Sequence, residues 1–457
     1  MKTIAQIAAQ LQGYDPQALS AADVNRFLAE LVVPMPDVEE LDILQAQGRV
    51  LARDIVSPLS VPPHDNSAMD GYAFDGALLA GGQPLALQVV GTALAGRAWH
   101  GEVAPGQCVK IMTGAIMPAG LDTVVPQEFV QTRPDGAIVV PAGLLAPGDN
   151  RRFKGEDLMQ GEPALCRGER LTPARCGLVA SLGIGRVTVT RRLRVAYFST
   201  GDEILSLGDA PREGAVYDSN RYTVHGLLAR LGCEVIDLGV VPDEPARLEA
   251  AFRQAAQQAD AIITSGGVSV GEADHTKAMM KKLGDVAFWK IAMRPGRPMA
   301  VGRISADETG SGGANRFAAG TPQGETAPSG GSEPHEVGNV GAILFGLPGN
   351  PVAVMVTFLA FVRPALLRMM GSTEPAPPLL RAHSQEALRK KPGRTEYQRG
   401  IVSAGADGTL QVRITGNQGS GVLSSMAQAN GLIVLHHGQG NVNPGDEVDV
   451  MMFDGVI

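Results

Sequence analysis

"ADAIITSGGVSVGEADHTKAMMKK", residues 259–282, carries the decision about the fold. An apolar, β-branched run, Ala261 to Ile263, ends in Ser265-Gly266-Gly267, and a further glycine, Gly271, precedes a helical pattern that continues through Lys282. Strand, glycine turn, helix is the repeating unit of a parallel α/β sheet. Such a turn aims backbone N–H groups and a helix N-terminus at one point, which suits a phosphate. Yet the same loop carries two carboxylates, Glu272 and Asp274.

Outward from this loop the same grammar repeats. "RLRVAYF" and "CEVIDLGVV" read as strands, residues 222–231 and 245–258 as helices, and "AILFGLPG" as a strand leading into "NPVAVMVTFLAFVRPALLRMMG". The fold class that follows is α/β plus β-rich domains, with a parallel-sheet α/β domain over 193–375. Ligands of such sheets sit at the carboxyl ends of the strands, at a switch in strand order. Residues 304–338, rich in Gly, Ser, Pro, Thr and Glu with no apolar period, read as a disordered, solvated insertion.

The flanks read differently. Ser20 can cap a helix over "AADVNRFLAELV", and Asp37 a second over "VEELDILQAQGRVLA". Residues 65–155 show short strands between Gly/Pro turns, a β-rich domain expected to form a small barrel. "TPARCGLVASLGIG" reads as a helix with Pro173 in its first turn and Gly183 at its stop. This divides the chain into a discontinuous helical and linker domain (1–64 with 156–192), the β-rich domain, the α/β domain, and a β-barrel-like domain over 376–457 with a hairpin at Asp407-Gly408.

Composition removes several functions. The chain has 457 residues, 44% hydrophobic and 19% charged, which fits globular domains with real cores. A net charge of −8 and an aromatic content of 4% argue against a nucleic-acid surface. The cysteines Cys108, Cys166, Cys176 and Cys233 lack CxxC spacing and read as reduced thiols. No leader-like apolar segment opens the sequence, and the longest apolar stretch, residues 352–362, is too short to span a bilayer. The expectation is a cytoplasmic protein with no membrane contact.

Candidate chemistry gathers in three places. "PPHDNSAMDGYAF" presents Asp70 on a proline-stiffened loop, and "IMTGA" ends a strand at Thr113; each also reads as plain turn chemistry. In the α/β domain, Ser199, Thr200 and Gly201 follow a strand, with Glu203 behind them. Ser219 and Asn220 open a helix beside Asp218, and Asp243 precedes another; both aspartates suit helix caps. Glu203, Asp243 and Asp274 follow three strands of one sheet, so they converge on one rim and suit a divalent cation such as Mg²⁺. "FWKIAMRPGRPMA" supplies Lys290, Arg294 and Arg297, and "FGLPGNP" a second anion cradle at Pro348, Gly349 and Asn350. No HExxH or Walker A pattern occurs.

"PPHDNSAMDGYA", "IMTGA", "FSTGDEI", "SGGVSVGEADHTK", "AMRPGRPMA" and "FGLPGNPVA", in this order, resemble the molybdopterin molybdenumtransferases, the bacterial MoeA family and the corresponding E domain of gephyrin. The resemblance runs from end to end, outside 304–338. It implies that adenylylated molybdopterin and molybdate are substrates, and that molybdenum cofactor and AMP leave, with Mg²⁺ assisting. By position it implies catalytic roles for Asp70, Thr113, Asp157, Glu203, Asp243 and Asp274, the last three also as metal ligands. Arg152, Ser199, Thr200, Gly201, Ser219, Asn220, Ser265, Gly266, Gly267, Ser269, Gly271, Lys290, Arg294, Arg297, Pro348, Gly349 and Asn350 would bind substrate. A homodimer is implied, its cleft shared between the α/β domain of one subunit and the β-rich domain of the other. Transient contact with the adenylyltransferase and with cofactor-accepting enzymes also follows. Arg294 and Arg297 stand where many relatives carry Lys, which exchanges a point charge for a planar fork. Two alternatives share the fold: an adenylyltransferase, disfavoured by the extra β-domains, and a noncatalytic scaffold.

Overall fold

The computed structural model describes residues 2–268, 275–305, 341–374 and 376–453. Ser269, Gly271, Glu272 and Asp274 lie outside the described residues, as does the 304–338 insertion beyond Ser305.

Six strands and four helices form the α/β domain: β1 (Arg194–Thr200), α1 (Ser219–Leu231), β2 (Glu234–Val241), α2 (Pro245–Gln258), β3 (Ala261–Ser265), α3 (His275–Leu283), β4 (Gly284–Lys290), β5 (Pro298–Ile304), β6 (Ala342–Leu347) and α4 (Pro351–Met369). The sheet order is β2-β1-β3-β6-β5-β4. β2, β1, β3 and β6 pair in parallel, in a register that sets Tyr197 beside Ile263 and Ile263 beside Phe345. β5 and β4 extend the parallel set in antiparallel fashion. Residues 291–297, joining them, are too few for the crossover helix that a parallel pair needs. The chain leaves β1 toward β2 and returns past it to β3, so the topological switch lies between β1 and β3.

Strand alternation assigns the two faces of the sheet. Tyr197, Ile263 and Phe345 belong to one buried cluster with residues of α1 and α4. Phe198, Ile262 and Leu344 belong to the other with Phe252 of α2 and Met280 of α3. The first cluster also takes in Ile4, Ile7, Phe27 and Leu28, from the helices Ile4–Gln10 and Ala21–Leu31. The N-terminal helices, grouped by the sequence with 156–192, thus bury their apolar faces in the α/β core. Hydrogen bonds fasten them there: the Ile4 N–H donates to Asp285 Oδ2 at 2.9 Å, and Trp289 Nε1 to Tyr14 Oη at 2.9 Å. Ser20 caps the second helix as expected, accepting from the Asp23 N–H. α4 has the length and apolar character of a membrane crossing, but it lies mostly buried and contains one π turn, Phe358–Val362. It is the central core helix of this domain.

The helix expected after Asp37 does not form. Val38–Asp42 is a strand, paired antiparallel with Arg186–Thr190, and Asp42 caps a short 3₁₀ turn, Ile43–Gln45. Leu44, part of the supposed helical stripe, is 89% exposed, so no buried face rewards that spacing. The helix Pro173–Ser181 forms where the sequence placed it, with Gly183 at φ 75° just beyond.

In the β-rich domain, Thr123–Pro126, Gly71–Phe74, Gln107–Ile111, Leu85–Ala93, Ile138–Val140 and Gln131–Thr132 form one six-stranded sheet in that order. Among the described residues no pairing joins its two ends, so the expected small barrel is an open sheet. The C-terminal domain does close. Thr395–Ala404, Leu410–Ile414, Leu380–Ser384, Glu447–Met452 and Gly431–Leu435 run around a five-stranded barrel, and the last pairs back onto the first.

Candidate functional site

A cavity of about 1150 Å³ opens at the carboxyl ends of β1, β3 and β6, over the topological switch. Each predicted loop of the α/β domain reaches it for a local reason. After β1, Gly201 turns the chain at φ 135° and brings Glu203 to the edge. After β3, Gly266 and Gly267 stand at φ 91° and 64°. A Cβ on Gly266 would meet the Thr200 carbonyl oxygen at 2.5 Å, and one on Gly267 the Thr276 side chain at the same distance. Only glycine permits this packing of the turn against β1 and α3. After β6, Pro348 and Gly349 lead to Asn350, which begins α4.

The floor beneath these loops is a ring of hydroxyls. Tyr197 Oη lies 2.8 Å from Ser199 Oγ and 2.6 Å from Ser265 Oγ, and the two serines are 3.2 Å apart. Burial pushes the Tyr197 pKa well above its ordinary value, so the ring is a neutral hydrogen-bonding platform. At α1, Asp218 caps the helix as expected, its Oδ1 accepting from the Arg221 N–H at 3.0 Å. It also lines the cavity, as do Ser219 and Asn220. The Asp243 N–H donates to Asp202 Oδ1, while the Thr276 hydroxyl donates to Asp243 Oδ1. The helix cap foreseen for Asp243 falls instead to Glu244, without a side-chain bond.

The far wall comes from the C-terminal domain, and sequence reasoning missed it. Gln418, Gly419, Ser420, Gly421 and Leu423 line the cavity. Arg399, 1% exposed, holds this loop: Nη1 donates to the Gln418 carbonyl, Nη2 to those of Asn417 and Gly419, and Nε to Ser425 Oγ. Burial, reinforced by nearby Arg294, brings the Arg399 pKa down to about 10, so the guanidinium is still charged at neutral pH. The loop in turn serves α4: the Ser420 carbonyl accepts from the Val352 N–H at 3.1 Å, and Asn350 Nδ2 donates to Ser420 Oγ. Met293–Arg294 pairs in parallel with Thr395–Glu396, which places Arg294 at the junction of the two domains. The one signal in the sequence was the Gly-rich polar run "GNQGSG", residues 416–421.

Of the predicted positions, Ser199, Thr200, Gly201, Glu203, Ser219, Asn220, Asp243, Ser265, Gly266, Gly267, Arg294, Pro348, Gly349 and Asn350 meet at the cavity. Lys290 and Arg297 are not among its lining residues: Lys290 ends β4 with its N–H on the Pro16 carbonyl, and Arg297 is exposed beyond the Pro295-Gly296 turn. Ser269, Gly271 and Asp274 are outside the described residues. Asp70, Thr113, Arg152 and Asp157 lie elsewhere, on or beside the β-rich sheet, and are exposed. There Asp70 Oδ1 accepts from both the N–H and the hydroxyl of Thr113, each at 2.7 Å. These bonds, the amide first, hold the Asp70 carboxyl below the usual carboxylate range. Asp65 ties the same loop to residues 151–154, accepting from Arg151 and from the Lys154 N–H. Arg152 pairs with Glu156. The buried Cys108 and Cys233 thiols are pushed up to about 12 by desolvation and are not nucleophiles at neutral pH.

Three family models cover the chain in the order of its domains. They are the MoeA N-terminal region (domain I and II) over residues 19–183, the probable molybdopterin binding domain over 196–368, and the MoeA C-terminal region (domain IV) over 381–453. A molybdopterin molybdenumtransferase from Haemophilus influenzae is 40% identical, over 95% of this chain and 98% of its own. One from Nostoc sp. is 34% identical, over 96% and 95%. A crystal structure of the molybdopterin biosynthesis MoeA protein from Pyrococcus horikoshii superposes with a TM-score of 0.75 at 26% identity, covering 95% of this chain and all of that one. Matched along nearly its whole length in sequence and in architecture, the chain belongs to the MoeA family of molybdopterin molybdenumtransferases.

Proposed function

We propose that this protein inserts molybdate into adenylylated molybdopterin, hydrolysing the adenylate and releasing molybdenum cofactor and AMP. The observation that carries the reading is the cavity over the β1/β3 switch, where the predicted phosphate-cradling turns and an arginine converge. The N–H groups of Gly267, Gly349 and Asn350 suit the pyrophosphate, since amides at a strand end and at a helix start need no charge to bind an anion. The Gly266 N–H is held by the Leu347 carbonyl. Arg294 offers a planar fork to molybdate or to charge developing on phosphorus. The barrel wall at 418–421 shields one side from water.

Charge balance favours a divalent cation. Among the described lining residues, the carboxylates of Glu203, Asp218 and Asp243 stand against the single guanidinium of Arg294. A polyanionic substrate entering a net acidic cavity needs a counterion. Glu203 and Asp243 are hard oxygen donors of the kind that Mg²⁺ accepts while keeping waters and substrate phosphate as its other ligands. Among the described residues no group of three or more His, Cys, Asp or Glu side chains is placed to hold a metal, and Asp274, the third expected ligand, lies outside them. Bound there, the ion would supply charge neutralisation at the scissile phosphoanhydride. The further proposal is a homodimer working in the cytoplasm, contacting the adenylyltransferase before the reaction and cofactor-accepting enzymes after it.

In vitro assembly from adenylylated molybdopterin with titrated molybdate tests the reading. Cofactor and AMP should appear together, and chelation of divalent ions should stop AMP release. Full activity in chelator would refute the metal requirement. Turnover of ATP with free molybdopterin, and none of the adenylate, would instead establish the adenylyltransferase alternative.

A further inference from the structure

Three buried polar atoms at the cavity have no hydrogen-bond partner among the described residues: Asp218 Oδ2, Asn220 Oδ1 and Thr200 Oγ1. Their residues are 4%, 8% and 4% exposed. An unpaired buried carboxylate oxygen is costly, and its cost is removed when a ligand supplies the missing donor. The orientation of both acceptors is fixed by what their other atoms do. Asp218 uses Oδ1 to cap α1 through the Arg221 N–H, which leaves Oδ2 as the oxygen without a partner. Asn220 donates Nδ2 to the Gly349 carbonyl at 2.7 Å. A reversed amide would set oxygen against oxygen there, so Oδ1 is the atom left over.

Two residues of one helix start thus present two acceptors and no donor. That pattern selects a heterocycle edge with two adjacent N–H groups. A 2-amino-4-oxo pteridine has such an edge, its amino group beside a ring N–H. Adenine does not, because its amino donor is flanked by ring nitrogen acceptors. We infer that Asp218 and Asn220 read the amino-pyrimidine edge of the pterin, and so separate the pterin end of the substrate from its adenylate end. The inference rests on the proposed substrate and adds the residues that orient it. Thr200 Oγ1 can donate or accept and completes the contact with the 4-oxo side.

The experiment compares molybdopterin with its 2,4-dioxo counterpart, in which an oxo acceptor replaces the 2-amino donor, and uses AMP as a control. Binding is measured by calorimetry on the full-length wild type and on Asp218→Asn. In the variant an amide oxygen can still cap α1, while Nδ2 takes the place of Oδ2. Wild type should bind the amino form about 10- to 100-fold more tightly, the worth of a charge-assisted hydrogen bond in a buried site. Asp218→Asn should lose or reverse this preference and keep its affinity for AMP. Equal binding of the two pteridines by wild type overturns the inference without reference to any variant. Uniform weakening of all three ligands in Asp218→Asn, as a metal-holding or purely structural Asp218 would produce, overturns it as well. Wild type that binds no molybdopterin at all overturns the proposed substrate, and the inference with it.

Discussion

At the scale of single residues, the Asp70–Thr113 clamp shows how a motif that reads as turn chemistry gains a definite state. Asp70 is exposed, so its low pKa comes from two donors rather than from a buried charge. The sign follows from linkage. A depressed carboxylate pKa stabilises the folded loop at pH values above the ordinary value of about 4, and that contribution disappears as pH falls through the lowered value. Thr113→Val removes the hydroxyl donor and keeps the amide. The Asp70 pKa should then move part of the way back toward the ordinary range, as read from its carboxyl resonance in an NMR titration. An unchanged titration would show that the hydroxyl bond contributes nothing in solution. Both residues were visible in the sequence as candidates, but their bond was not, because it joins segments 43 residues apart.

At the scale of elements, local pattern sufficed where an element follows its own propensity and failed where a partner decides. The Pro245–Gln258 helix forms over the span expected, with Pro245 at its start and Leu248, Phe252, Ala255 and Ala256 buried along one face. Val38–Asp42 went the other way because Arg186–Thr190, far along the chain, offers it a ladder. The 418–421 wall showed in the sequence only as a Gly-rich polar run, for the same reason: its position depends on Arg399 and on the start of α4, both distant along the chain. The Ser265-Gly266-Gly267 turn was legible because glycine was required on the spot. Gly266→Ala should cost about 1–3 kcal/mol, combining a left-handed backbone with a Cβ against the Thr200 carbonyl. Gly136→Ala, at φ 83° with nothing within 4 Å, isolates the backbone share alone. Denaturant unfolding should rank Gly266→Ala as the more destabilised of the two. Equal losses would mean that the turn relaxes away from β1.

At the scale of the whole molecule, the site falls into two parts. Glu203, Asp243 and Arg294 line the cavity of the α/β domain, while Asp70 and Thr113 sit on the β-rich domain and outside that cavity. Within one chain the two sets do not form one constellation, although the resemblance assigns both to one reaction. A two-fold dimer that sets the β-rich domain of one subunit over the α/β cavity of the other would reunite them. Complementation decides this. Asp70→Asn and Asp243→Asn each remove one carboxylate from a different part of the proposed site, and each variant alone should be nearly inactive in cofactor assembly. If the cleft is shared, a mixed dimer has one site carrying both substitutions and one carrying neither. Random mixing through dissociation and reassociation should therefore restore about a quarter of wild-type activity, because half the dimers are mixed and half their sites are intact. If each site is built within a single chain, every site in the mixture retains one lesion and no activity returns. The restored fraction, measured against sedimentation that confirms subunit exchange, separates a composite cleft from two independent ones.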